Sequence, residues 1–156
     1  MAVEKVSIIS DIWKLFYDRV KSQVTTVTIT GGHVVNVKLY TNNFNDTDFE
    51  LNTHYPVIIV KTPIIPDKVF TFGKNVVNGS IEVDLYTTQA ESADKFCSQI
   101  FNAIETYRGT LAQNGLRKIT IIGPDSDMSM RGLIKVHIRK LRFEYVYYYD
   151  KTGGAF

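Results

Sequence analysis

The feature that most constrains the fold is a long alternating segment near the C-terminus, "IKVHIRKLRFEYVYYYD", residues 134–150. Alternation of apolar and polar residues is typical of a β-strand, because successive side chains point to opposite faces. The pattern predicts one very long strand over residues 131–149. Its apolar residues change parity part-way: Ile134, Val136 and Ile138 are even, whereas Leu141, Phe143, Tyr145, Tyr147 and Tyr149 are odd.

The change of parity falls at Arg139-Lys140. An unbroken strand keeps one set of positions on one face, so we predict a β-bulge there that restores the register. The aromatic residues would then face the core, and a row of mainly basic residues would face the other way: Lys135, His137, Arg139 or Lys140, Arg142 and Glu144. A single-stranded nucleic-acid platform needs aromatic and basic side chains on the same exposed face, so this arrangement disfavours one.

Two segments have the three-and-four spacing of amphipathic helices. The first spans about residues 4–22, with an apolar stripe of Val6, Ile9, Trp13, Phe16 and Val20. The second begins near a cap at Thr88 or Ser92 and ends at Gly109 or at Asn114-Gly115. Its predicted core face consists of Ala93, Phe96, Cys97, Ile100, Phe101 and Ile104.

The remaining segments read as strands and turns. Gly31-Gly32 predicts a hairpin turn, "YPVIIVKTP" a buried strand, and Asn78-Gly79 the turn of a second hairpin. "LRKITIIG" reads as a strand and "PDSDMSM", residues 124–130, as a loop. The predicted fold is therefore α+β, with two helices packed on one face of a mostly antiparallel or mixed sheet that includes a long β-hairpin.

The length of 156 residues suits one domain, which we place at residues 1–150, with residues 151–156 as a flexible tail. The formal net charge of +2 is small for a protein that binds nucleic acid through bulk charge. The single cysteine, Cys97, excludes an intramolecular disulfide and suits a reducing compartment. The chain has no signal-peptide pattern and no apolar run of about 20 residues, so we expect synthesis in the cytoplasm and no membrane partner.

Charge is distributed unevenly along the chain. Between residues 40 and 60 all charges are acidic, on Asp46, Asp48 and Glu50 in the irregular segment 41–54. Between residues 128 and 142 all charges are basic: Arg131, Lys135, Arg139, Lys140 and Arg142. Opposite poles suit head-to-tail association of copies, so we predict a subunit interface between Asp46, Asp48, Glu50 and Lys135, Arg139, Lys140, Arg142. Two separate solvated surfaces are the alternative.

No catalytic or cofactor constellation is recognisable. His33, His54 and His137 are far apart in sequence, and Asp125 and Asp127 lack the glycine and closing glutamate of a calcium loop. Cys97 falls on the apolar stripe of the second helix, where a thiol packs as a small hydrophobe. The sequence also lacks a glycine-rich phosphate loop and a nucleophile elbow. We therefore expect a protein that is not an enzyme and has no cofactor or metal.

The order of elements resembles that of the tail terminator proteins of long-tailed bacteriophages, also called tail-completion or tail-to-head joining proteins. The similarity covers the first helix, "VSIISDIWKLFYDRV", the run "YPVIIVKTP", and the strand that leads into a helix, "SIEVDLYTTQAESADKFCSQIFNAIETYRG", followed by two closing strands. The segment 41–54 and the aromatic C-terminal strand have no counterpart that we can match to the family.

The resemblance implies a structural virion protein of the tail or neck. It implies a six-fold homo-oligomeric ring that caps the tail tube, ends its polymerisation and contacts the head-completion proteins, while genomic DNA passes through the lumen. Two alternatives remain open. One is a small nucleic-acid-binding α+β domain that uses the basic C-terminal strand, and the other is a different phage neck or tail component.

Overall fold

The computed structural model describes residues 5–42, 55–65, 76–131 and 133–148. In these ranges the chain forms three helices, α1 (Lys5–Gln23), α2 (Ala90–Thr106) and α3 (Arg108–Gln113). It forms seven strands: β1 (Thr26–Ile29), β2 (His33–Asn36), β3 (Leu39–Thr41), β4 (Val57–Val60), β5 (Val76–Thr87), β6 (Leu116–Arg131) and β7 (Ile134–Tyr148). The fold is α+β with helices packed against a mixed sheet, as the sequence predicts.

The main sheet has the strand order β3-β4-β5-β7-β6, in which only the β3–β4 pair is parallel. Strands β1 and β2 form a separate antiparallel pair that turns at Gly31 and Gly32, whose φ angles are +90° and +78°. Residues without a side chain reach such angles at little cost, so the hairpin predicted from this Gly-Gly pair is confirmed.

One face of the sheet, here called the helix side, packs against α1 and α2. The buried line of α1 is Ile8, Ile12, Phe16 and Val20, while Ile9 and Trp13 are only partly buried at its flank. The indole Nε1 of Trp13 donates a hydrogen bond to the carbonyl of Val60 at 2.8 Å. The helix prediction is therefore confirmed, but its apolar stripe is centred one residue earlier than predicted.

On α2 the core face is Ala93, Phe96, Cys97, Ile100, Ala103 and Ile104. The prediction that Phe101 belongs to this face is wrong, since 43% of its surface is exposed. One residue advances a helix by about 100°, so a position next to the central Ile100 lies at the edge of the buried stripe. The helical residues end before Asn114-Gly115, which is one of the two predicted ends, but the stretch Arg108–Gln113 forms a separate helix, α3, that was not predicted.

The predicted turn at Asn78-Gly79 is also wrong. Both residues lie inside β5, opposite Val146 and Tyr145 of β7. A Cβ on Gly79 would lie 2.7 Å from the carbonyl oxygen of Ile64 and 2.7 Å from the Tyr145 hydroxyl. The glycine is there because two neighbours approach the backbone closely, which a sequence pattern for turns does not distinguish from a turn.

The segment "PDSDMSM" is not a loop but the second half of β6. From Asp125 to Arg131 it pairs in regular register with Ile134–Lys140 of β7. Its Pro, Asp and Ser residues have low β-propensity, and pairing with the strongly β-forming β7 overrides that preference.

No bulge occurs on β7. Its register with β5 is unbroken from Val76↔Tyr148 to Thr87↔His137, and the irregularities lie on β6, between Arg117 and Thr120 and between Ile122 and Asp125. The parity change has another cause. The two faces of β7 are buried at different places along the strand. Leu141, Phe143, Tyr145 and Tyr147 enter the helix-side core, whereas Val136 and Ile138 join Tyr55, Val57 and Ile59 on the outer face.

Candidate interaction surface

The four basic residues predicted to form one row lie on two faces of the sheet. Because the β5–β7 register is unbroken, Lys135 and Arg139 are on the helix side, while Lys140 and Arg142 are on the outer face. The prediction of one continuous basic row is therefore wrong. It required a bulge on β7 that would bring residues of both parities to one face, and β7 has no bulge. The aromatic part of the prediction is confirmed for Phe143, Tyr145 and Tyr147, which are buried. Tyr149 lies outside the described residues.

On the helix side, Arg139 is used within the chain. Its Nε donates to Oδ1 of Asp94 on α2 at 3.2 Å, and only 12% of its side chain is exposed. Partial burial, with Arg139 and Lys135 nearby, lowers the pKa of His137. Arg139 thus ties the sheet to α2 instead of presenting a free cation to a neighbouring molecule.

On the outer face, basic residues of β7 stand directly opposite acidic residues of β5. The cross-strand pairs are Asp84↔Lys140 and Glu82↔Arg142. Opposite charges at facing positions stabilise a sheet and neutralise each other locally. The surface around Lys140 and Arg142 is therefore a ladder of alternating charge and not a basic patch.

Lys61 completes this ladder from the end of β4. Its ammonium donates a hydrogen bond to Glu82 and lies 3.0 Å from Oδ2 of Asp84. Asp84 is fully buried, and among the described residues neither of its oxygens receives a well-aligned hydrogen bond. Desolvation therefore raises the pKa of Asp84 to about 6, although the Lys61 charge opposes this effect. For Glu82, desolvation is the largest single effect and raises the pKa, but the hydrogen bonds with Lys61 and Asp84 and the charges of Lys61 and Lys140 together lower it.

The acidic half of the predicted subunit interface, Asp46, Asp48 and Glu50, lies outside the described residues. Its pairing with Lys135, Arg139, Lys140 and Arg142 stays a prediction. The structure shows that Arg139 has an acidic partner within its own chain, and that Lys140 and Arg142 face acidic residues across the β5–β7 pair.

The distal part of the β6–β7 hairpin carries exposed apolar side chains. Met128, Met130 and Leu133 are 52%, 60% and 100% exposed. The methionines face the helix side. Met128 lies opposite His137, the last β7 residue that pairs with β5, and Met130 lies opposite Lys135, beyond the end of β5. Exposed apolar residues grouped at one place often mark contact with another molecule. The sequence interpretation missed this group because it assigned residues 124–130 to a loop; the alternation of Met128 and Met130 with serine was the available signal.

A groove of about 380 Å³ lies between α2 and β6. It is lined in part by the exposed Phe101 and by Gly123 and Pro124, where β6 departs from regular pairing. Cys97 is also at the groove but is 7% exposed, and burial raises the pKa of its thiol to about 11. The thiol is thus neutral at physiological pH and packs as the predicted core residue.

The described residues contain no group of three or more His, Cys, Asp or Glu side chains placed to hold a metal ion. His33 is exposed on β2, His137 lies on β7, and His54 is outside the described ranges. Within those ranges, no helix has the length and apolar character needed to cross a membrane. Compared with known proteins, the chain matches no family model and no curated protein sequence.

Proposed function

We propose that this protein is a non-enzymatic assembly subunit that caps a bacteriophage tail tube, ends its polymerisation and joins it to the head-completion proteins of the neck. It is made in the host cytoplasm and works in the virion as a six-fold ring with genomic DNA in its lumen. The resemblance in the order of elements supports this proposal, and the α+β architecture agrees with it.

The observation that carries the proposal is the exposed apolar end of the β6–β7 hairpin. Leu133 is fully exposed at the tip, and Met128 and Met130 are exposed beside it on the second half of β6. Leaving three large apolar side chains in water at one place is unfavourable, and burial against another protein removes that cost. A subunit that docks onto a tube or onto its neighbours requires such a surface.

The basic strand gives little support to the alternative of a nucleic-acid-binding domain. Stacking of bases requires exposed aromatic rings beside free cations. Here Phe143, Tyr145 and Tyr147 are buried, and Arg139 is paired with Asp94. Any contact with DNA in the lumen would then rest on phosphate attraction alone and would weaken steeply with added salt.

The proposal is tested by deleting the gene from its phage and examining lysates by electron microscopy. We expect abnormally long tails or tails without heads, because the tube is neither stopped nor joined. Normal virions in the deletion strain would refute the proposal.

The hairpin tip is tested by complementation of the deletion. Leu133→Asp places a charge on the exposed tip without disturbing a buried contact, so the protein should fold normally but fail to restore virions. Val34→Asp on β2, at a position that is 61% exposed, is the matched control and should complement. Full complementation by Leu133→Asp would show that the tip does not dock in the virion.

A further inference from the structure

We propose that the edge of β6 that faces away from β7, from Asp127 to Arg131, pairs antiparallel with the same edge of a second copy, so that the purified protein forms a two-fold dimer through a continuous sheet. This interface goes beyond the proposed function and does not depend on it. Two-fold pairing uses one surface twice and stops at two copies, whereas a ring needs two different surfaces on each copy.

The first reason is that β6 is a long edge strand with no described strand on its outer side. Its first half is interrupted by two irregularities, one of them at Gly123-Pro124, and proline has no amide to donate. From Asp125 to Arg131 the pairing with β7 is regular, so the opposite edge of this stretch is straight enough to accept another strand. The exposed Met128 and Met130 lie in this stretch.

The second reason is the hydrogen bonding of the Met128 amide. It donates to Oδ1 of its neighbour Asp127 at 2.7 Å. A strand amide that is satisfied by a side chain of its own strand lies at the open edge, and the carboxylate shields it. A second strand would replace this local bond with a backbone bond and would free Asp127 for a partner of opposite charge.

The third reason is that the edge is complementary to itself in charge and in pattern. In an antiparallel pair centred on Ser129, Met128 of each copy lies opposite Met130 of the other. Asp127 of each copy then lies opposite Arg131 of the other. Residues opposite each other share the same parity, so the methionines of both copies stay on one face. Centring the pair on Asp127 would instead place like charges opposite each other, which is unfavourable.

Disulfide trapping tests this register in the purified full-length protein. Ser129→Cys should form a disulfide between copies in a glutathione redox buffer, since Ser129 faces itself at the two-fold axis and facing residues that are not hydrogen-bonded are about 4.5 Å apart at Cα, within disulfide range. Met128→Cys and Met130→Cys should cross-link when mixed and far less when alone. The wild type carries only the buried Cys97 and should not cross-link.

Val34→Cys, on the exposed face of β2, measures how much disulfide arises from random collision. Ser129→Cys should exceed this control at equal concentration. Cross-linking of Ser129→Cys at the level of Val34→Cys would overturn the proposal, and so would efficient self-linking of Met128→Cys without that of Ser129→Cys.

Charge exchange gives a second, non-covalent test by analytical ultracentrifugation. Arg131→Asp should weaken dimerisation by about tenfold or more, because two attractive pairs become repulsive ones. Combining it with Asp127→Arg restores opposite charges at the same positions and should restore dimerisation. Circular dichroism confirms that each variant is folded. If Arg131→Asp dimerises as well as the wild type, or if the double variant is no better than the single one, the proposed pairing is wrong. Neither result changes the outcome of complementing the phage deletion, which tests the proposed function separately.

Discussion

Replacement of Gly79 by alanine tests the close approach of Ile64 and Tyr145 to β5. The new methyl group would lie 2.7 Å from the Ile64 carbonyl oxygen and from the Tyr145 hydroxyl, where ordinary contact requires 3.4–4 Å. The Ile64 carbonyl is backbone and accepts the Ser80 amide at 3.0 Å, so it cannot move without straining that bond. The variant must therefore shift β5, the Ile64 segment or Tyr145.

Overpacking of this kind costs about 1–3 kcal/mol. Replacing a glycine also restricts the unfolded chain, which returns about 0.4–1 kcal/mol. The net effect should be a loss of about 1–2 kcal/mol in the free energy of unfolding. For a chain of this length, that corresponds to a fall in Tm of roughly 2–8 °C.

Urea denaturation followed by circular dichroism measures the difference, and Gly109→Ala is the matched control. Gly109 lies in α3, and a Cβ added there meets nothing within 4 Å. Alanine should therefore stabilise the protein by about 0.5–1 kcal/mol, the usual gain within a helix. A Gly79→Ala protein as stable as the wild type would refute the close approach, as would an equal loss in both variants.

Tyr145→Phe separates the two contacts at Gly79. It removes the side-chain atom of Tyr145 that lies nearest to Gly79, a buried hydroxyl with no hydrogen-bond partner among the described residues. The single change should cost little, because no buried bond is lost. In its background Gly79→Ala should be less destabilising than in the wild type, and an unchanged cost would assign the clash to the Ile64 carbonyl alone.

Three further expectations concern α2 and the outer-face charges. Ile100→Ala should lower the free energy of unfolding by about 2–5 kcal/mol and Phe101→Ala by clearly less, since Ile100 is fully buried and Phe101 is half-exposed; urea denaturation compares them. Cys97 should resist alkylation at pH 8 until urea unfolds the protein, because burial raises its pKa to about 11; rapid labelling of the folded protein would contradict this. Burial raises the pKa of Asp84 from 3.8 to about 6, so the folded state binds this proton more tightly than the unfolded state does. The stability that the proton contributes therefore falls as pH rises from about 4 to 6. The stability of Asp84→Asn relative to the wild type should therefore be higher at pH 7 than at pH 4. The opposite trend in thermal unfolding would show that the attraction between Lys61 and the Asp84 carboxylate outweighs the desolvation of that carboxylate.

The elements with long and regular residue patterns follow from the sequence alone. The helix spacing of α1 and α2, the alternation in β7, the apolar run of β4 and the Gly31-Gly32 turn each predicted the observed element, because local periodicity reports directly which side of a segment is buried. The lone thiol of Cys97 was correctly assigned to the core by the same spacing.

Which face of each element is buried, and against what, depends on contacts between residues that are distant in the sequence. A parity change in β7 has two physical explanations, an inserted residue or burial of both faces of one sheet, and the sequence of a single strand does not distinguish them. The choice depends on Tyr55 and Val57, which are far away in the chain yet pack against Val136 and Ile138. Likewise, Asn78-Gly79 and the polar half of β6 have local preferences for turns, but pairing with β7 supplies more favourable interactions than those preferences do. The location of the basic residues followed from the same pairing, since the unbroken β5–β7 register placed Arg139 against α2 and Arg142 opposite Glu82.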